Sequence, residues 1–141
     1  MQTITANNYN VYFDSKGYET LAEMLKPSHY SKIFILVDEN TSQYCLPHLL
    51  NNLATEIEIE IIELEVGEIH KNIATCTEVW GALSDLGGDR KSILINLGGG
   101  VISDLGGFVA CTFKRGIDFI NIPTTLLSMV DASIGGKNGV D

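Results

Sequence analysis

The chain has 141 residues, 45% of them apolar and 19% charged, with a formal net charge of −9. That length supports one domain with a sizeable core. The acidic balance argues against a nucleic-acid surface and against attraction to anionic lipid.

No apolar run reaches the ~18–20 residues that span a bilayer. The N-terminus, M-Q-T-I-T-A-N-N-Y-N, lacks the basic and apolar parts of an export signal. A cytoplasmic chain with no membrane and no nucleic-acid partner is therefore expected. Cys45, Cys76 and Cys111 are odd in number and widely spaced, which fits neither a disulfide framework nor a zinc ribbon. They read as buried free thiols in a reducing compartment.

Tyr9 to Phe13 alternates weakly, as a first strand would. Tyr18, Leu21, Ala22 and Leu25 predict a helix from Gly17 to Leu25, stopped by Pro27. Lys32 to Val37, K-I-F-I-L-V, reads as a buried strand and ends at Asp38-Glu39-Asn40-Thr41. A helical stretch from Tyr44 to Leu50 follows. Acidic and amide side chains at the C-terminal end of a strand stand where open α/β sheets bind ligands. Equally, Asn40 or Thr41 caps the next helix, and both roles are compatible.

Glu56 to Ile61 alternates glutamate with isoleucine, which predicts an outer strand with one charged face guarding the edge. Gly67 to Lys71 is a turn entering a helix, marked by Ile73, Cys76, Val79, Trp80, Leu83 and Leu86 and closed by Gly87-Gly88. Trp80 reads as core. Glu68 and Lys71, three apart, read on spacing alone as an ion pair at a helix start. His70 reads as a surface histidine before it reads as a ligand, and His29 and His48 carry no signal.

Ile93 to Leu97 reads as a strand buried on both faces. Gly98, Gly99 and Gly100 follow, then an apolar-periodic helix from Val101 to Thr112. A strand that ends in glycines at a helix start is a phosphate cradle: the backbone approaches closely, and the helix end offers free N–H groups and partial positive charge. Asp104 is placed inside the first helical turn, where the dipole favours it. A further strand, Ile117 to Ile122, ends at Pro123-Thr124-Thr125, whose hydroxyls either cap the next helix or contact a ligand. Asp131 and Lys137 add opposite charges downstream.

Strand and helix patterns alternate throughout. The fold class expected is therefore α/β, a Rossmann-like, mostly parallel sheet with helices on both faces. The G-x-G-x-x-G dinucleotide fingerprint is matched imperfectly. Gly98 and Gly100 fit, Ser103 stands at the third position, and the loop follows several βα units instead of opening the first. Asp118 lies at the spacing of a ribose-binding acid but within a strand, and is set aside. An ordinary dehydrogenase assignment does not fit.

Taken together, G-G-G-V-I-S-D-L-G-G-F-V-A and K-R-G-I-D-F-I-N-I-P-T-T-L-L-S-M-V-D-A-S-I-G-G-K closely resemble 3-dehydroquinate synthase, with D-E-N-T and G-E-I-H-K matching upstream in the same order. The resemblance covers essentially the whole chain and is strongest from Gly98 to Val140. It implies that residues 1–141 are an N-terminal NAD-binding domain, cut before a helical domain that carries a catalytic zinc. It implies the conversion of 3-deoxy-D-arabino-heptulosonate 7-phosphate, a small sugar acid phosphate, to 3-dehydroquinate and phosphate in the shikimate route. NAD is consumed and regenerated within each turnover, and the enzyme is a homodimer.

By the same resemblance, Asp38 and Asn40 contact the adenosine end of NAD, and Glu68 and Lys71 its ribose and adenine side. Gly99, Gly100 and Val101 form the pyrophosphate loop, with Asp104 beside it. Thr124, Thr125 and Leu127 contact the cofactor, and Asp131 and Lys137 lie near nicotinamide and substrate. Arg115 reaches the substrate phosphate of a neighbouring subunit, a task suited to its planar fork; without the resemblance it reads as a solvated charge at a helix end. Ser103 and Asn138 depart from a glycine and a threonine common in the family, and a serine at 103 is expected to loosen helix–strand packing. The family's zinc ligands, one glutamate and two histidines, lie beyond the equivalent of Asp141, so no metal site is expected in this chain. Neighbouring readings are an inosose or valiolone synthase, a metal-dependent polyol dehydrogenase, and a non-catalytic nucleotide-binding module.

Overall fold

The computed structural model describes residues 3–6, 9–12, 15–65 and 72–124. A hairpin leads: β1 (Thr3–Ala6) pairs antiparallel with β2 (Tyr9–Tyr12). There follow α1 (Ser15–Met24), β3 (Lys32–Asp38), α2 (Glu39–Tyr44), α3 (Leu46–Asn52), β4 (Ile59–Leu64), α4 (Ile73–Asp85), β5 (Ser92–Gly98), α5 (Gly100–Thr112) and β6 (Asp118–Pro123). A 3-10 turn, Phe113–Arg115, joins the last two.

β3 to β6 form one parallel sheet in the order β4-β3-β5-β6. Both faces are buried, so the central strands are apolar almost without interruption. Ile33, Ile35, Val37, Ile93, Ile95 and Leu97 point to one face, against Leu21 and Leu25 near α1 and Leu46 and Leu49 of α3. Phe34, Leu36, Ile62, Leu64 and Leu94 point to the other, against Cys76, Val79 and Leu83 of α4 and Ile102, Leu105 and Val109 of α5. The chain leaves β3 in one direction over the first face, then crosses back twice in the opposite direction over the second. Reversing direction and face together keeps all three crossovers of one hand, as parallel sheets require.

Local chemistry fixes the helix ends. The α4 terminus is a Schellman motif: Gly87, at φ +86, donates to Ser84 O, and Gly88 donates to Leu83 O at 2.7 Å. Lys32, at the start of β3, reaches Leu86 O at 2.6 Å and Glu58 at 2.8 Å, tying the end of α4 to the approach of β4.

The expected architecture is present, with four corrections. The Tyr44–Leu50 stretch is two short helices, because Cys45 breaks the backbone between them and Pro47 sits in the first turn of α3. β1 adds a strand before the expected first one; its four residues, T-I-T-A, are too few to show a pattern. β4 is an edge strand, but begins three residues later than the Glu–Ile alternation, at Ile59. Its carboxylates divide between faces: Glu60 shares a face with Ile62 and Leu64, and Glu63 with Ile59 and Ile61. Asp104 lies one residue beyond the first turn of α5, which contains no acid.

Candidate functional site

The crossovers reverse direction between β3 and β5. That reversal opens a crevice at the C-terminal ends of those two strands, the place where open α/β sheets take ligands. Leu36 pairs with Asn96, and Gly98 with Pro123, so Asp38, Gly98 and Pro123 stand in one row across β3, β5 and β6. Three strand ends therefore stand side by side. They carry Asp38 and Asn40, then Gly99, Gly100 and Val101, then Thr124.

The turns after β3 and β5 are built differently. At the first, Asp38 caps α2: its Oδ1 accepts from the Thr41 N–H at 2.8 Å, and Thr41 Oγ1 accepts from the Asp38 N–H at 2.9 Å. This reciprocal box is worth about 1 kcal/mol. The cap is thus Asp38 with Thr41 returning the bond, while Asn40 is exposed in the first turn.

At the second, Gly99 is the N-cap of α5 and has no side chain to close the first turn. The amides at this end lack the side-chain acceptor that Asp38 supplies to α2 and Asn72 to α4. β-Carbons placed on Gly99 or Gly100 would meet nothing within 4 Å, so among the described residues this backbone faces open space. Gly98 differs: a β-carbon there would lie 2.8 Å from Ile102 Cβ. Two glycines leave room for a ligand, and the third lets the helix begin.

Asp104 lies on the side of α5 that faces α4. It lines a cavity of about 280 Å3 between α4 and α5, with Asn72, Ile73, Cys76, Leu105 and Phe108. Burial pushes the Cys76 thiol above its ordinary pKa there.

Arg115 lies at the other end of the sheet. With Arg90, Lys91, Lys114 and Asp89 it lines an open cleft where β5 and β6 begin. Lys114 and Arg115 adopt φ +47 and +70, a left-handed pair that few side chains tolerate. The Ser31 hydroxyl, 2.6 Å from Asp89, holds that carboxyl below its usual range, helped by the Lys91 amide and the Ser92 hydroxyl. Asp118 begins β6 at this same end and accepts from the Tyr30 hydroxyl, so it is no ribose ligand for the glycine loop. Glu68, Lys71, Thr125, Leu127, Asp131 and Lys137 lie outside the described residues.

Three participants escaped the sequence reading. Asn96, wholly buried in β5, donates from Nδ2 to Asn121 Oδ1 of β6 at 3.0 Å. Its Oδ1 has no hydrogen-bond partner among the described residues, which costs about 1–3 kcal/mol for a buried acceptor. A β-carbon at Gly106 would overlap that amide, so α5 approaches β5 more closely than any side chain would allow. The close packing expected of a third fingerprint glycine at position 103 is supplied by Gly106, and Ser103 is half-buried with its N–H on Gly99 O at 3.0 Å.

The model of the 3-dehydroquinate synthase N-terminal family matches residues 61–141. The chain belongs to the 3-dehydroquinate synthase family. A 3-dehydroquinate synthase of Parabacteroides distasonis is 46% identical over 121 residues, 86% of this chain and 34% of that protein. The chain spans about a third of the length of the curated 3-dehydroquinate synthases it matches. Among solved structures, a 2-deoxy-scyllo-inosose synthase aligns over 88% of this chain and 35% of its own, with TM-score 0.69 and 23% identity, a likeness of fold. The 2-epi-5-epi-valiolone synthase of Streptomyces hygroscopicus, solved with NAD+ and Zn2+ bound, aligns over 100% of this chain and 39% of its own, with TM-score 0.61 and 26% identity.

Proposed function

We propose that this chain is the NAD-binding part of a 3-dehydroquinate synthase, and that its site is the crevice between the C-terminal ends of β3 and β5. The carrying observation is the glycine loop at the sheet's switch point, with open space over Gly99 and Gly100 and no side-chain cap on α5. A diphosphate fits there because backbone amides and a helix end can hold it without any cation, in a chain of net charge −9.

In this reading the amides of Gly99, Gly100 and Val101 hold the diphosphate. Asp38 and Asn40 face the adenosine end, and Thr124 lies one strand over toward the reactive half. Glu68, Lys71, Asp104, Thr125 and Leu127 complete the cofactor contacts, and Asp131 and Lys137 stand near nicotinamide and substrate. NAD, when bound, supplies a reversible hydride acceptor. The intact enzyme would convert 3-deoxy-D-arabino-heptulosonate 7-phosphate to 3-dehydroquinate and phosphate, in the cytoplasm, on the route to aromatic amino acids. Its zinc would be held by residues outside this chain. Arg115, at the far end of the sheet from its own glycine loop, suits a role toward the substrate phosphate of a second subunit in a homodimer.

The identity of 46% to a 3-dehydroquinate synthase favours this product over those of the inosose and valiolone synthases, which match at 23% and 26%. The test has two parts. NAD is titrated into residues 1–141 by calorimetry, and phosphate and 3-dehydroquinate are followed with the sugar acid phosphate, NAD and zinc. Residues 1–141 should bind NAD without turnover, and the intact protein should turn over. 3-Dehydroquinate from residues 1–141 alone would overturn the division of labour, and a different carbocycle from the intact protein would overturn the substrate.

A further inference from the structure

We propose that Asn96, Asn121 and Gly106 are positioning residues: packed behind the glycine loop, they set the angle at which α5 presents its first amides to the dinucleotide. The inference rests on the NAD reading of the site.

Asn96 is a polar side chain in a strand that is otherwise apolar after its first residue, and it is completely buried. An alanine would fill such a position with no polar group to satisfy. The amide persists although one of its two polar ends is unpaired, and an unsatisfied buried group in a folded protein calls for an explanation. Its neighbours supply one. Asn121 lies directly opposite in the ladder, and its Oδ1 takes the Nδ2 proton, which fixes the plane of the Asn96 amide. Held in that plane, the amide leaves no room for a β-carbon on Gly106. Strand and helix are therefore fitted to each other at one point, amide against bare backbone.

That point lies at the base of the β5–α5 turn. Asn96 is two residues before Gly98, and Gly106 is six residues into α5, about 9 Å along the helix axis from its first residue. A helix pivoting at Gly106 moves its N-terminal amides by a comparable angle over that lever. The only other close fit in the turn is Gly98 against Ile102, among the described glycines of this unit. β-Carbons on Gly99 or Gly100 would meet nothing among the described residues, so no packing at those two positions orients the helix. The groups that bind are thus placed by groups that never touch the ligand.

The test uses the intact protein with Asn96→Ala, Asn121→Ala, Gly106→Ala and the Asn96→Ala/Gly106→Ala double variant. NAD affinity is measured by calorimetry, and amide exchange at Val101 to Ser103 is measured well below each melting temperature. Asn96→Ala and Asn121→Ala should each weaken NAD by about tenfold and speed that exchange, with the protein still folded. The double variant, with a methyl group in the space vacated by the amide, should recover most of the affinity lost in Gly106→Ala. Should Gly106→Ala fail to fold, recovery is judged between Asn96→Ala and the double variant. Affinity within about twofold of the unchanged protein for Asn96→Ala, or no recovery in a folded double variant, would overturn the positioning role. An unchanged protein that fails to bind NAD would instead bring down the reading of the site, and this inference with it.

Discussion

The hydroxyl of Tyr30 donates to the carboxylate of Asp118 at 2.7 Å, bridging residues 88 positions apart. It fastens the approach to β3 to the first residue of β6, across the starting ends of the strands. Partial burial, then the bond to Asp118 and its negative charge, push the tyrosine up to about 12. A raised tyrosine is stabilised in its protonated form. Its contribution to folding is complete below the unfolded value near 10 and is lost as pH rises toward 12. Absorbance titration of the phenolate should show one tyrosine ionising late, missing in Tyr30→Phe. The variant should lose about 1 kcal/mol in urea unfolding at neutral pH.

Gly98 and Gly99 should separate stability from binding. Gly98→Ala drives a methyl group into Ile102 and should cost about 1–3 kcal/mol. Gly99→Ala, at φ −81 with open space around it, should melt at the temperature of the unchanged protein. It should nevertheless weaken NAD by at least about tenfold, because the methyl group stands where a diphosphate approaches. Thermal melts and calorimetry on the same preparations check both. Equal NAD affinity for Gly99→Ala would contradict the cradle.

Asp38 has one observed task and one proposed task, and two substitutions tell them apart. Asp38→Ala removes the cap of α2 and should cost about 1 kcal/mol. Asp38→Asn keeps an oxygen for the Thr41 amide and should leave stability nearly unchanged. If the carboxylate also receives hydroxyls of the cofactor, Asp38→Asn will weaken NAD without lowering the melting point. Matched losses of affinity and stability across the pair would confine Asp38 to capping.

The thiols should react in two classes. Cys45 and Cys76 are buried, and Cys111 is exposed. Since thiolate and access together set the rate, a disulfide reagent at neutral pH should label one cysteine quickly and the other two only in denaturant. Mass spectrometry should place the fast label on Cys111. Rapid labelling of Cys76 would mean that the α4–α5 cavity opens readily.

The central strands were legible because both their faces are buried. K-I-F-I-L-V and S-I-L-I-N-L admit little but a parallel core strand, and α4 and α5 declared themselves by apolar period and terminal glycines. The edge was harder. The Glu–Ile alternation begins before the ladder does, since pairing with β3 sets where β4 starts and local pattern does not. The glycine loop was legible as a cradle, but its support was not. Asn96 was absorbed into an apolar run, although a lone amide in such a run is itself a signal. Its partner in packing, Gly106, is recognisable only once helix and strand are seen in contact. Arg115 read as a cation near a helix end, and only the sheet's direction shows that it and the cradle belong to opposite poles.

Since β3 to β6 all run the same way, every loop that follows a strand empties onto one rim, and every loop that precedes one lies on the other. Evolution can therefore edit ligand preference along the first rim while the hydrophobic slab beneath stays untouched. The second rim, with its crowded cations and left-handed turn, is free to answer to different pressures, such as what a neighbouring molecule demands.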